Sequence, residues 1–197
     1  MSPTRADLRT LDGTARALGL QADSFQALAT ILDTIRDLMA ELVRDPEVVA
    51  PAFGAEPSLV VEVAARSALA AHLTAIGFAH LRSRNELLRG IASRTEPAVQ
   101  TDPAKCALGC WLDAYEAHGG EESAILAKLR PLHERLHQCA VGIIDDTRRG
   151  AAVHDLLDVV QREVTPCFAE TWACLIQLIG GVQASAAAAV SLLRPAS

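Results

Sequence analysis

The stretch Phe25-Gln-Ala-Leu-Ala-Thr-Ile-Leu-Asp-Thr-Ile-Arg-Asp-Leu-Met-Ala-Glu-Leu42 places its large apolar side chains three and four residues apart. This spacing puts them on one face of an α-helix, because a helix completes one turn in about 3.6 residues. Asp23 or Ser24 is the expected N-cap, and Asp45-Pro46 is expected to end the helix. We expect residues 1–22 to be partly disordered.

The same periodicity recurs along the rest of the chain, and no alternating strand pattern interrupts it. It predicts a long helix from Ser58 to about Arg94, with Gly77 as the candidate for a bend. Prolines and glycine in residues 46–57, and polar residues with a proline in 95–101, predict connections. Further helices are expected from Asp102-Pro103 to Gly119-Gly120, from near Glu121 to Gly150 with an interruption or kink at Pro131, and from near Val153 to about Leu193 with a disturbance at Pro166. The prediction is an all-α helical bundle with a four-helix-like core and additional N- and C-terminal helices.

Composition agrees with a helical protein and excludes some classes of function. Half of the 197 residues are hydrophobic but only 4% are aromatic, and Ala and Leu favour helix over sheet. The net charge of −6 argues against nucleic-acid binding, which needs a basic face. Five cysteines, an odd number, and no recognisable secretory signal predict reduced thiols and a cytoplasmic location.

One uncharged segment, Thr171–Leu193, is long enough to span a bilayer. It contains two Gln, two Ser and a Gly-Gly pair, and much of the remainder is Ala. This composition favours a buried helix or a helix–helix contact, so we expect no membrane span.

The stretch Cys106-Ala-Leu-Gly-Cys-Trp-Leu112 concentrates two cysteines and one of the two tryptophans. Its thiols could fill the core, form a redox pair or provide one corner of a metal site. Cys106 is expected in the first turn or so of the helix that Asp102-Pro103 begins. There the free N–H groups and the helix dipole favour a thiolate, which is the form that binds metal and reacts with oxidants.

The pair His133-x3-His137 places two imidazoles one helical turn apart on the same face, as two ligands of one ion require. Zinc proteases share this spacing and a glutamate beside the first histidine, where Glu134 stands here. However, Arg135 occupies a position that should permit close packing beside the metal, and the usual downstream ligand is missing, which disfavours a hydrolase. Zinc accepts cysteine and histidine together.

A fourth ligand is expected from the long helix, where His72 and His80 are the candidates. A lone histidine on such a face is more often a core or boundary residue than a ligand. Their eight-residue separation puts both near one face of the helix, so each needs a further argument.

The motif Cys106-x-Leu-Gly-x-Trp-Leu112 resembles the signature Cys-x-[Leu/Phe]-Gly-x-Trp-[Leu/Tyr] of the bacterial chemoreceptor zinc-binding (CZB) domain. The family's upstream histidine is matched by Ala79-His80-Leu81, 26 residues before Cys106, and its later His-x3-His pair by His133 and His137. The resemblance covers about residues 70–148. It implies that His80, Cys106, His133 and His137 hold Zn²⁺, and it favours His80 over His72.

Two positions depart from the family pattern. Cys110 stands where a basic residue is common, and Ser83 where an aromatic is frequent. Cys110 could act as a resolving thiol for an oxidised Cys106. Gly109 is expected to let its helix approach a neighbour closely, and Trp111 to shield the metal from water. Cys139, Cys167 and Cys174 are expected to be buried, His118 to lie at a helix C-terminus, and His154 at the surface.

The resemblance implies a zinc-binding sensory or regulatory module without catalysis of its own. Such domains are attached to chemoreceptors or diguanylate cyclases and dimerise, which implies a homodimer and a signalling partner in chemotaxis or cyclic-di-GMP pathways. The signal would be zinc occupancy or oxidation of Cys106 by hypochlorous acid or a similar oxidant. We divide the chain into an N-terminal helical segment and Pro-rich connection (1–57), a zinc-binding core (58–150) and a C-terminal helical segment that packs on the core or dimerises (151–197).

Two alternatives belong to other classes. One is a metal-dependent enzyme with an open zinc position and Glu134 as a base. The other is a structural helical dimer without metal.

Overall fold

A computed structural model describes residues 5–53, 55–115 and 120–191, and over these ranges it contains helices and connections but no strand. The predicted all-α bundle is therefore confirmed. The helices are α1 Arg5–Leu42, α2 Pro46–Val49, α3 Pro57–Ser93, α4 Ala107–Ala114, α5 Gly120–Arg148, α6 Val153–Val159 and α7 Thr165–Ser191. Short 3₁₀ turns cover Ala50–Phe53 and Pro103–Lys105, and a π turn covers Val160–Val164.

Helix α1 begins well before the expected N-cap. The expectation of disorder is wrong for residues 5–22, which are helical, while residues 1–4 lie outside the described ranges. Residues 5–22 contain no proline and are rich in Ala, Leu and Arg, so nothing stops the helix from continuing upstream. Ser24 does not cap the helix; its hydroxyl donates to the Leu20 carbonyl one turn earlier, at 3.0 Å. Helix α1 ends at Leu42, shortly before Asp45-Pro46 as predicted.

Helix α3 matches its predicted bounds within one residue and is continuous through Gly77. A Cβ atom at Gly77 would come within 2.1 Å of the Trp172 ring. The glycine therefore makes room for a side chain of α7. Arg94, with φ 55°, ends α3 in the left-handed conformation.

The two prolines expected to disturb helices behave differently. Helix α5 runs through Pro131 without interruption. Pro166 follows directly on the π turn, in which the Thr165 N–H bonds the Val160 carbonyl five residues earlier. Proline lacks an N–H, and its ring crowds the preceding turn, so a local change of helical register at Pro166 has a steric cause.

Helix α1 packs on α3, α3 on α7, and α7 on α5. The core consists of two clusters along the bundle. The first is formed by Leu73, Ile76, Leu108, Trp111, Leu112, Leu126, Leu129, Cys174, Leu175 and Leu178, and the second by Leu87, Ile91, Ile143, Leu156, Val160 and Val164.

The order of these residues shows that α3 and α5 run parallel to each other and antiparallel to α6 and α7. Along α3, His80 lies between the residues of the first cluster and those of the second. Along α5, His133 and His137 occupy the corresponding position. The middle of the bundle is thus where polar side chains of α3 and α5 can meet.

Among the described residues, two helical stretches are long and apolar enough to cross a membrane by length and composition alone, Pro57–Ser93 and Val153–Ala188. A core helix of a soluble protein can pass the same test. Both stretches contribute residues to the two core clusters, but only 33% and 22% of their apolar windows are buried.

Candidate metal centre

His80 enters the site from α3 as a buried side chain, 8% exposed. Its Nδ1 lies 2.9 Å from the Ile76 carbonyl one turn earlier, so Nδ1 carries the proton and Nε2 keeps its lone pair. Burial lowers the pKa of His80, which keeps the ring neutral. A neutral imidazole held by a backbone carbonyl is the usual state of a metal-binding histidine.

His133 and His137 enter from successive turns of α5, and their Nε2 atoms are 3.0 Å apart. They are 2% and 7% exposed. Burial, with smaller contributions from His80 and His137, lowers the pKa of His133 to about 3. The pKa of His137 is also lowered by burial, although hydrogen bonding to the backbone of Gln100 and Thr101 opposes the shift. All three imidazoles are therefore neutral near pH 7 and can act as ligands.

Cys106 is the N-cap of α4, and its Sγ accepts a hydrogen bond from the Gly109 N–H at 3.3 Å. The helix begins at Ala107 after the 3₁₀ turn, so Cys106 precedes the first turn in which it was expected. Its Sγ lies 2.9 Å from Nε2 of His133 and 3.8 Å from Nε2 of His80. The sulfur is thus directed at both histidine-bearing helices.

The N–H groups at the start of α4 favour the Cys106 thiolate, as expected, but burial outweighs them. Burial raises the pKa of the Cys106 thiol, and the N–H groups of Gly109 and Leu108 only partly oppose that effect. A cation at the site would supply the missing stabilisation of the thiolate.

The turn before Cys106 explains why a glycine stands at position 109. Asp102 caps the 3₁₀ turn by accepting from the Ala104 N–H at 3.0 Å. A Cβ at Gly109 would lie only 1.8 Å from the Pro103 carbonyl oxygen. The close approach is therefore between this turn and the start of α4, and not with a neighbouring helix as expected.

The Nε2 atoms and the sulfur converge: the four donor atoms lie within 4.8 Å of one another. Zinc bonds of about 2.0–2.3 Å in a tetrahedron separate ligand atoms by roughly 3.3–3.8 Å. The observed separations of 2.9, 3.0 and 3.8 Å bracket that range. Three imidazoles and one thiolate also suit zinc chemically, so the residues present fit the ion.

His72 lies elsewhere. Its Nδ1 is 3.0 Å from an Arg36 guanidinium nitrogen and 3.6 Å from an Asp33 carboxylate oxygen, both on α1. The structure therefore places His80, and not His72, with Cys106, His133 and His137. His154 is exposed on the surface, and His118 lies outside the described residues.

The remaining thiols differ in their surroundings. Cys110 is exposed, and its Sγ lies 3.3 Å from the Ala104 carbonyl. Cys167 and Cys174 are buried as expected, whereas Cys139 is half-buried. Trp111 is buried in the first core cluster, where its ring stacks on Tyr115 with centroids 4.5 Å apart.

Residues 80–144 match the family model of the chemoreceptor zinc-binding domain. This match confirms the resemblance drawn from the sequence, and it begins at His80 and spans all four donors. The CZB family consists of zinc-binding sensory domains, and the buried donor cluster of this chain is suited to a zinc ion. The match covers less than half of the chain. No curated protein and no solved structure matches the chain.

Sequence reasoning missed the groups that orient the donors, namely the backbone of Ile76, Gln100 and Thr101. Backbone groups have no residue-type signature. The Ile76 carbonyl could have been anticipated, because it lies one helical turn before His80. The contribution of residues 100 and 101 depends on the path of the 95–101 connection, which no local pattern specifies.

Proposed function

We propose that this chain is a zinc-binding sensory module in which His80, Cys106, His133 and His137 hold one Zn²⁺. The observation that carries the proposal is the convergence of their four donor atoms within 4.8 Å. These residues come from α3, from the start of α4 and from α5. Zinc held by these residues would cross-link the three elements.

The residues have distinct parts in this arrangement. His80 presents Nε2 because its Nδ1 is engaged by the Ile76 carbonyl. His133 and His137 present their Nε2 atoms side by side from consecutive turns. Cys106 would bind the ion as a thiolate, and the Gly109 N–H, which donates to its Sγ, would stabilise that negative charge.

Zinc occupancy is one proposed signal. The three histidines are neutral and buried, Cys106 is half-buried, and the four donor atoms lie within 4.8 Å of one another. Without a cation, the short α4 is held to α3 and α5 mainly by the apolar contacts of the first core cluster. Because binding joins the three elements, the binding free energy stabilises one arrangement of the helices.

Oxidation of Cys106 is the second proposed signal. Cys106 is the one donor with appreciable exposure, whereas the three histidines are buried. Hypochlorous acid transfers its oxygen to the thiolate, giving a sulfenic acid and chloride: RS⁻ + HOCl → RSOH + Cl⁻. The sulfur is oxidised by two electrons and the chlorine is reduced. A sulfenic acid is a poorer metal ligand than a thiolate, so the cross-link weakens.

A homodimer in the cytoplasm, signalling through a chemoreceptor- or cyclase-type partner, completes the proposal. Support for dimerisation comes from an apolar stripe on α1, formed by Leu28, Ile31, Ile35 and Leu38. These side chains are 42–59% exposed, and they follow the three-and-four spacing of a helix-pairing seam. A second copy of the chain would bury them.

The enzyme alternative has less support. Glu134, its candidate base, is exposed. Four protein donors also complete a tetrahedral shell, whereas catalytic zinc sites keep a position for water. Measuring the zinc content distinguishes the proposed zinc-binding module from a structural dimer without metal.

The deciding experiment is metal analysis of the purified full chain. We expect about one zinc ion per chain in the wild type and a large loss in the double variant Cys106→Ala, His133→Ala. The matched control is Cys110→Ala, His154→Ala, which removes an exposed thiol and an exposed imidazole. Equal zinc content in the wild type and in the ligand variant would refute the proposal.

A further inference from the structure

A cavity of about 220 Å³ lies beside the donor cluster, between α3, α5, the π turn with α7, and residues 99–107. His80, Cys106 and His137 form part of its wall. The metal centre needs only one donor atom from each of these side chains. The rest of the cavity has no part in the function proposed above.

The charged residues that line the cavity, apart from histidine, are all cationic: Arg82, Arg84 and Lys105. No carboxylate from the part of the chain that the structure describes lines it, although the chain as a whole has a net charge of −6. A local cationic lining in an acidic protein is electrostatically suited to an anion.

Arg84 is the cation best placed to receive that anion. Lys105 is already paired with Asp102 at 3.0 Å, and Arg82 donates to Gln26 on α1. Arg84 lies over the Phe168 ring, 5.8 Å from its centroid, and no described residue gives it a carboxylate partner. This cation–π contact with Phe168 leaves the guanidinium N–H groups available.

Apart from Ser83, Gln100 and the two histidines, the rest of the cavity wall is mostly apolar. Leu87, Val99, Leu136, Ala140 and Val164 line it, and it adjoins the second core cluster. An inorganic anion would leave these walls without contact. A ligand that combines one negative group with an apolar body satisfies both parts of the lining.

We propose that this cavity binds a small amphipathic monocarboxylate, with the carboxylate on Arg84 and the hydrocarbon against Leu87, Leu136 and Val164. Since a water molecule takes about 30 Å³ of liquid volume, the cavity volume of about 220 Å³ corresponds to roughly seven water-sized groups. The bound carboxylate forms a charge-assisted pair with a planar guanidinium, which accepts it in bidentate geometry.

Binding has a consequence for the metal centre, and this part rests on the proposed function. Cys106 lines the same cavity, so an occupant covers the exposed side of the thiol. The carboxylate ligand therefore slows the reaction of Cys106 with oxidants that arrive through the cavity.

The test is calorimetric titration of the zinc-loaded full chain with octanoate. Ten non-hydrogen atoms at the ligand efficiency of drug-sized molecules give a dissociation constant of roughly 6 mM. We expect Arg84→Gln to weaken binding by at least about tenfold and Arg84→Lys to restore part of it. Ala140→Leu should reduce binding by filling the cavity. Arg66→Gln, a change on the same helix outside the cavity, should leave binding unchanged.

Zinc content and melting temperature identify any variant that fails to fold, and the Arg84 and Ala140 changes test the site independently. Octan-1-ol and sulfate test the two halves of the ligand, and both should bind at least about tenfold more weakly than octanoate. The proposal is wrong if octanoate does not bind, if it binds the Arg84→Gln and Ala140→Leu variants as well as wild type, or if sulfate binds equally well. The zinc content of the Cys106→Ala, His133→Ala variant tests the metal centre, whereas octanoate binding by the Arg84 and Ala140 variants tests the cavity. Either proposal can therefore fail without the other.

Discussion

The Sγ of Cys106 lies 2.9 Å from Nε2 of His133, although the two residues are 27 positions apart and belong to different helical elements. A local structural feature positions each of the two atoms. Capping of α4 directs the sulfur, and the i, i+4 spacing of His133 and His137 directs the imidazoles. His80 adds a third element with its Nδ1 already engaged. Local structure in three elements therefore accounts for the convergence of the four donors.

Cys106→Ala should reduce zinc affinity by more than about 100-fold, because loss of a direct ligand exceeds the 10–100-fold cost of losing an outer partner. Cys110→Ala should leave affinity unchanged, since Cys110 is exposed and its sulfur lies near the Ala104 carbonyl. Competition against a chromophoric zinc chelator measures both. Similar affinities for the two variants would remove Cys106 from the ligand set.

Gly109→Ala should destabilise the metal-free protein by about 1–3 kcal/mol or more, because the added Cβ would lie 1.8 Å from the Pro103 carbonyl oxygen. The matched control is Gly142→Ala in α5, where a Cβ meets nothing within 4 Å. That change should stabilise the helix by about 0.5–1 kcal/mol. Chemical denaturation of both variants checks the contrast, which fails if Gly109→Ala is as stable as wild type.

The sequence predicted the helices well where apolar periodicity continues, and it indicated His133 and His137 by their spacing and Cys106 by its place near a helix start as candidate ligands. It did not separate His72 from His80 without the family resemblance, because eight residues put both near one face of a helix. The two histidines differ in their tertiary contacts. His72 contacts Arg36 on α1, whereas His80 faces Cys106 and α5. The predicted start of α1 was wrong because residue types that cap helices also occur inside them, as Ser24 does.

The metal-free protein should lose stability as the pH falls from about 6.5 toward about 3. The pKa of His133 is lowered from an ordinary 6.5 to about 3, so the unfolded chain binds the proton first in this range. A lowered folded-state pKa means that stability is complete above 6.5 and is lost below it. His80 and His137, whose pKa values are also lowered, add to the same trend.

Denaturation at pH 7.5 and pH 5 in the presence of a chelator measures this loss. His133→Gln should reduce the pH dependence, while His154→Gln, at an exposed position, should not change it. An unchanged dependence in His133→Gln would show that His133 is not the group responsible.

The α1 stripe of Leu28, Ile31, Ile35 and Leu38 should mediate the proposed dimer. Ile31→Asp should shift the chain to monomer, because it places a charge in the centre of the seam. Thr30→Asp, also exposed on α1, carries the same charge outside the stripe and should leave association unchanged. Sedimentation velocity of the zinc-loaded chain distinguishes the two. A monomeric wild type, or a dimeric Ile31→Asp variant, would contradict the assignment.

Hypochlorous acid should release zinc from the wild-type chain in proportion to oxidation of Cys106. The thiolate is the reacting group, and the sulfenic acid that forms is a weaker ligand. Zinc release is followed with a chromophoric chelator, and the oxidised residue is located by mass spectrometry after trapping. Cys110→Ala should release zinc at the wild-type rate, because the exposed Cys110 is outside the donor cluster. If Cys106 becomes a sulfenic acid while zinc remains bound, oxidation is not the signal, and zinc occupancy remains as the proposed input.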